Sequence, residues 1–287
     1  NGVDITQVFF NNASVWLQII GATTGVFYGG FIYPTANNRV TRINNSGTLI
    51  GSETNVGTAR ISAAGAGLGT TGVFYGGVNA NTYYNRVTRI NNSGTLIGAE
   101  TNVGTARAYS AGVGLGTTGV FYAGYTSAAY NRVTRINNSG VLIGAETNVG
   151  TARYGLAGAG LGTTGVFYAG APSYNRVTRI NNSGTLIGAE TNVGTARYHL
   201  AGAGLGTTGV FYGGGQYLTY YNRVTRINNS GTLIGAETNV GTARVYIAGT
   251  GIGTTGVFYG GMSAINKVTT IYNRVTRINA SGVLIGS

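Results

Sequence analysis

Apolar residues along this chain come in short bursts, such as Val166-Phe167-Tyr168 and Leu186-Ile187, separated by glycines, asparagines and threonines. No segment carries the 3.6-residue apolar spacing of a helix, so the pattern predicts strands throughout. Residues 151–197 show the unit. Ala157 to Leu161 is small and apolar and reads as strand A. Thr163-Thr164-Gly165 is a turn, and Val166-Phe167-Tyr168 is strand B, ending in Ala169-Gly170. After a variable stretch, residues 175–181 alternate β-branched and polar side chains as strand C. Asn182-Ser183-Gly184 is a hairpin turn, with Asn and Gly supplying its positive-φ positions. Thr185-Leu186-Ile187 opens strand D, which runs towards Val193.

This unit recurs. Thr-Thr-Gly-Val-Phe-Tyr begins at Thr23, Thr70, Thr117, Thr163, Thr207 and Thr254, in steps of 44 to 47 residues. Asn-Arg-Val-Thr-Arg-Ile-Asn begins at Asn38, Asn85, Asn131, Asn175, Asn222 and Asn273. Such a period marks a repeat architecture in which one copy cannot bury a core alone. Four antiparallel strands per ~47 residues is a propeller blade. The expected fold is therefore all-β: a single six-bladed β-propeller domain spanning 1–287.

A ring is favoured over an open stack, because an open stack needs polar outer faces on its end copies and the last copy is as apolar as the rest. The final copy lacks the Glu-Thr-Asn-Val-Gly-Thr-Ala-Arg that completes the others, and residues 4–12 contain the strand-like Val8-Phe9-Phe10. The N-terminal segment is thus expected to complete the last blade and close the ring, removing exposed sheet edges. Residues 266–271 are a degenerate copy of the strand C motif, readable as an insertion or as an alternative register.

Composition narrows the function. Hydrophobic residues make up 43% of the chain, there is no Cys, and no apolar run approaches the ~18 residues of a membrane helix, so no membrane insertion is expected. The formal charge of +12 invites an anionic partner. Nearly every Arg, however, sits at a repeated position, two in Asn-Arg-Val-Thr-Arg and one in Gly-Thr-Ala-Arg. A per-repeat Arg reads as a structural donor, stacked on Tyr or paired with the per-repeat Glu. Arg89 and its equivalents are expected to be largely buried and hydrogen-bonded; guanidinium groups in solvent along one stripe would instead favour a polyanion partner.

The repeat resembles the kelch type of β-propeller. The shared features are the glycine doublet after an aromatic (Tyr75-Gly76-Gly77), the Asn-x-Val-x-x-Ile strand from Asn85 to Ile90, and Arg107 before the next strand A. The likeness covers all six copies, with the doublet reduced to Ala123-Gly124 and Ala169-Gly170 in two of them. The kelch tryptophan of strand D has no counterpart, since the only Trp is Trp16. The wording Thr-Ala-Arg-Tyr-Gly-Leu-Ala-Gly is also similar to kelch-like repeats of tailed bacteriophages, which implies a virion or tail-associated protein with other virion proteins as partners.

The copies differ mainly on one face. In a four-stranded blade the A–B and C–D turns share one face of the disc; here they are almost invariant. The B–C stretches (31–37, 78–84, 125–130, 171–174, 215–221, 262–272) and the D–A stretches share the other face and are diverse. Their Tyr, Ser, Asn and Thr content matches that of binding loops, where Tyr gives rigid contact area at low entropic cost. The candidate ligand-binding residues are Trp16, Tyr109, Tyr125, Tyr154, Tyr198, His199, Tyr217 and Tyr246. Trp16, Tyr109, Tyr154, Tyr198 and Tyr246 are expected in neighbouring places around the mouth of a central channel.

Catalytic chemistry is sparse. Five of the six acids are Glu at one repeated site, and the sixth is Asp4. The variable stretches hold no Asp, Glu or Cys, so paired carboxylates for acid–base work are absent there. One His and no Cys make a metal site unexpected, and the copper-radical oxidases of the kelch-like class would need both. No catalytic residue, metal or cofactor is expected; His199 reads as a loop contact. The Asn-x-Ser sequons fall mainly in the C–D turn, where turn chemistry accounts for them. The expected function is recognition of a host glycan or surface protein by the variable face, on a virion or an extracellular surface. The alternatives are a decoration protein docked through its constant face, or polyanion binding through arginines, with nucleic acid the less expected partner.

Overall fold

A computed structural model describes residues 23–32, 35–265 and 268–286. The chain is a β-propeller of six blades of four antiparallel strands. Blades two to five are described with all four strands, the first with B, C and D, and the sixth with A, B and C. The third blade is representative: Ala111–Leu115, Thr118–Tyr122, Arg132–Asn137 and Thr147–Asn148 lie side by side in chain order. Ala111 faces Tyr122, Tyr122 faces Val133, and Val133 faces Thr147.

Strand D departs from the expected continuous run. It meets strand C at Leu142, opposite Ile136, and again at Thr147, opposite Val133. Three steps along C thus match five along D. The extra two residues are absorbed after Gly144, whose φ of +66° breaks the strand, and the resulting bulge brings Glu146 back over the blade.

The ring closes through the described residues. Successive blades stack Phe on Tyr, as in Tyr75–Phe121 at 5.3 Å and Tyr122–Phe167 at 5.2 Å. The first and sixth blades repeat the contact with Phe27–Tyr259 at 5.5 Å. Phe27, Ile43, Ala248, Ile252 and Val257 share one apolar cluster across that seam. The expected N-terminal clasp, residues 4–12, lies outside the described residues. So does Trp16.

Strand A reads Ala-Gly-Ala-Gly-Leu because backbones meet at the axis. A Cβ on Gly114 would lie 1.9 Å from the Gly67 carbonyl oxygen, and one on Gly251 would lie 2.1 Å from that of Gly204. The five described inner strands therefore leave little room at the axis, with about 10 Å³ of free space among Gly65, Gly112, Gly158, Gly202 and Gly249. Residues 262–271 resolve as an insertion. Met262–Ile265 and Val268–Ile271 form a hairpin, and strand C of the sixth blade is Val275–Asn279.

Buried charge holds each blade to the last. Arg107, fully buried, stands over the Tyr75 ring at 5.1 Å. It donates to the Phe121 carbonyl (3.3 Å), the Ala123 carbonyl (2.7 Å) and Thr134 Oγ1 (2.8 Å), and it pairs with Glu146 at 3.2 Å. Arg60, Arg153 and Arg197 make the same pairing with Glu100, Glu190 and Glu237. Arg244 is buried too, but it faces no carboxylate among the described residues. Burial alone would raise the Glu146 pKa; the Thr105 and Thr134 hydroxyls, Arg107 and the Thr105 N–H outweigh it and hold the carboxyl below its ordinary value.

The arginine expected to be buried was a different one. Arg89 and its equivalents are only partly exposed rather than largely buried, and no hydrogen bond or ion pair ties them down among the described residues. Strand alternation explains this. Arg132 and Thr134 lie on one face of strand C, towards Glu146, whereas Arg135 lies on the other with Val133 and meets no acid.

Candidate functional site: the variable face

Backbone hydrogen bonds link the five described D–A connections into a collar on the variable face. The Tyr109 N–H donates to the Ser62 carbonyl (3.0 Å), Gly155 to Tyr109 (2.8 Å), His199 to Gly155 (2.7 Å) and Tyr246 to His199 (2.8 Å). Each blade can reach its neighbour only by turning the chain into the left-handed region. Ser62, Tyr109, Gly155, His199 and Tyr246 have φ of 56°, 58°, 62°, 55° and 54°. For Tyr and His this conformation costs about 1–2 kcal/mol each, offset by the collar bonds. Such outliers gather at functional sites more often than elsewhere.

The collar sets two rows of side chains. Tyr109, His199 and Tyr246 occupy the collar itself and converge over the axis. Tyr154 and Tyr198 stand one residue earlier, where each bridges to the B–C stretch of its own blade, at Ala171 and Gly215. Of the five aromatics expected in equivalent places, the four described ones are thus offset, and the signal was in the sequence: Tyr154 directly follows Arg153, whereas Tyr109 comes second after Arg107. The expected channel mouth is a dimple of about 30 Å³, floored by Ala63, Leu156, Leu200 and Ile247. It is too small for a sugar ring, so the aromatics form a platform, not the rim of a hole.

The rings touch in a continuous chain. His199 stacks on Tyr246 at 4.1 Å and meets Tyr198 edge-on at 5.1 Å and Tyr109 at 5.8 Å. Tyr109 meets Tyr154 at 6.2 Å, and Tyr154 meets Tyr125 at 4.9 Å. Tyr217 stands apart at the tip of a B–C hairpin, 79% exposed, with Leu218 beside it at 83%. Its backbone N–H donates to the Tyr198 hydroxyl at 3.1 Å, which links the tip to the platform. Leu218 joins the candidate contact residues on its exposure, and an apolar residue next to Tyr at a polar loop tip was the signal for it in the sequence.

His199 as a residue is half-buried, and the side chains packed round its ring desolvate the imidazolium and hold its pKa down to about 3. The ring is neutral near pH 7 and acts as an aromatic face. The consequence for stability has a definite sign. Below about pH 6.5 the unfolded chain takes up a proton that the folded chain refuses, so stability falls as the pH drops below that point. The carboxylates add their loss only nearer pH 4.5. A His199→Gln variant is expected to remove the decline between pH 6.5 and 5, measured as the urea midpoint at each pH. An unchanged decline would contradict the buried, neutral imidazole.

Among the described residues no group of His, Asp or Glu is placed to hold a metal. Fold and site define a repeat-built β-propeller with an invariant frame and one aromatic, diversified face. No protein-family model matches the chain, and no curated protein matches it.

Proposed function

We propose that this propeller is a non-catalytic recognition module that binds a glycan or a protein on a host surface through its variable face. The observation that carries the reading is the contiguous platform from Tyr125 through Tyr154, Tyr109 and His199 to Tyr246, on the face where the repeats differ. Aromatic faces stack on sugar rings or fill pockets of a protein partner, and their rigidity keeps the entropic cost of binding low. The left-handed collar fixes the rings before a ligand arrives, which favours affinity through preorganisation. The resemblance to kelch-like repeats of tailed bacteriophages supports a place on a virion, or more broadly on an extracellular surface, beside other virion proteins. The test is a glycan array together with a panel of surface proteins, probed with the purified chain. Selective hits are expected. Uniform silence on both would overturn the reading in favour of a decoration protein docked by its constant face.

A further inference from the structure

The chain's arginines fall into three sets with different fates. Those of Gly-Thr-Ala-Arg are buried. In five blades the first Arg of the Asn-Arg-Val-Thr-Arg motif pairs with Glu, as Arg132 does with Glu146 at 3.6 Å, and in the sixth Arg274 donates to the Thr242 hydroxyl. The second Arg of strand C is left over: Arg42, Arg89, Arg135, Arg179, Arg226 and Arg277, one per blade, with no acceptor among the described residues. None of the described acids pairs with them: Glu100, Glu146, Glu190 and Glu237 each hold two other arginines, and Glu53 holds Arg39.

These six side chains are built into place. The Arg89 stem crosses to the C–D turn of the next blade, where a Cβ on Gly140 would lie 3.2 Å from its Cδ and Nε. Its Nη2 lies 2.9 Å from where a Cβ would stand on Gly98 of its own blade. Gly98 and Gly140 have φ of +64° and +78°, so both turns keep glycine where the arginine passes. The same crossing occurs at all six junctions, including Arg277 against Gly47, where the sixth blade meets the first. The stems are pinned, and the guanidinium groups present free donors at even intervals round the rim of the constant face.

We infer that this rim is a second binding surface, for a polyanionic polysaccharide. A pinned guanidinium loses little entropy on meeting a sulfate or carboxylate, and it binds either with paired N–H donors. Evenly repeated positive charge suits a polymer with a repeated anionic group, which can follow the rim from blade to blade. Nucleic acid fits less well. Single strands need aromatic platforms for their bases, whereas the residues beside these arginines are the Asn, Ser, Gly, Thr and Leu of the C–D turn. The inference stands whether or not the aromatic platform binds a ligand, since the two surfaces share no residue.

The test uses the whole chain and three probes: dextran sulfate, uncharged dextran and single-stranded DNA of matched charge. Dextran sulfate is expected to bind, with log K falling linearly against log salt concentration. The triple variant Arg89→Gln/Arg135→Gln/Arg179→Gln is expected to bind it at least tenfold more weakly, with a salt slope lower by about 2–3. The Tyr154→Ala/Tyr198→Ala variant should bind it as the parent does. If the Gln variant folds poorly, Arg89→Lys/Arg135→Lys/Arg179→Lys takes its place: it keeps the charge but loses the paired donors, so weaker binding of dextran sulfate is expected and binding equal to the parent's would overturn the role of the guanidinium groups. Dextran sulfate binding no tighter than dextran, or a triple variant that binds like the parent, would overturn the inference. DNA bound as tightly as dextran sulfate would overturn the choice of polysaccharide.

Discussion

Replacing Arg107 by methionine should cost the propeller about 3–5 kcal/mol, because removing one partner of a buried ion pair leaves the other uncompensated. Methionine fills much of the volume and retains none of the donors. The Ala123 carbonyl loses its side-chain donor, the Phe121 carbonyl is left with its ladder bond alone, and Glu146 keeps only its threonines and the more distant Arg132. In urea the midpoint should fall with little change in slope. Arg153→Met should cost a similar amount, since Arg153 makes the same pair with Glu190 at 3.1 Å. Arg89→Gln is the contrast. It breaks no hydrogen bond or ion pair, so its expected cost is below about 1 kcal/mol. Equal losses at Arg107 and Arg89 would contradict the division of the arginines into structural and free sets.

Gly114→Ala should be nearly as damaging, at about 3 kcal/mol, the upper range for overpacking. The obstacle is the Gly67 backbone, 1.9 Å from the new methyl, and it can yield only if two inner strands part. Gly116→Ala is the matched control. Its Cβ would meet nothing within 4 Å, but its φ is +65°, so only the left-handed cost of about 1–2 kcal/mol applies. Comparable losses at both sites would mean that the closed axis is not what strand A's glycines serve.

The frame was readable because each strand carries its own signal. Strands A, B and C fall within a residue or two of their apolar bursts, and Asn-Ser-Gly marks the C–D turn in five copies, with Ala-Ser-Gly in the sixth. Strand D was not readable as it is, since a bulge after Gly144 depends on where Glu146 finds Thr134 and Arg107 across the sheet. The same long-range pairing decides which arginine is buried. Alternation places Arg132 and Arg135 on opposite faces of strand C, but nothing local says which face meets an acid. The collar was hidden for another reason. Its left-handed position is held by Ser62, Tyr109, Gly155, His199 and Tyr246 in turn, and only Gly155 advertises the conformation. Closure of the axis was implicit in Ala-Gly-Ala-Gly-Leu, whose small side chains bring backbones together instead of leaving a hole.

Paired substitution across the two faces tests the assignment of function most directly. One variant carries Tyr154→Ala with Tyr198→Ala on the variable face; the other carries Thr117→Ala with Asn138→Ala on the constant turns. Each is measured by titration against the strongest glycan or protein hit of the parent chain, with the fold checked by thermal melting. The platform variant is expected to lose at least thirtyfold in affinity, as for a truncated hot-spot aromatic worth about 2 kcal/mol or more, and the turn variant is expected to bind as the parent does. Equal loss from both variants, or loss from the turn variant alone, would contradict recognition through the variable face.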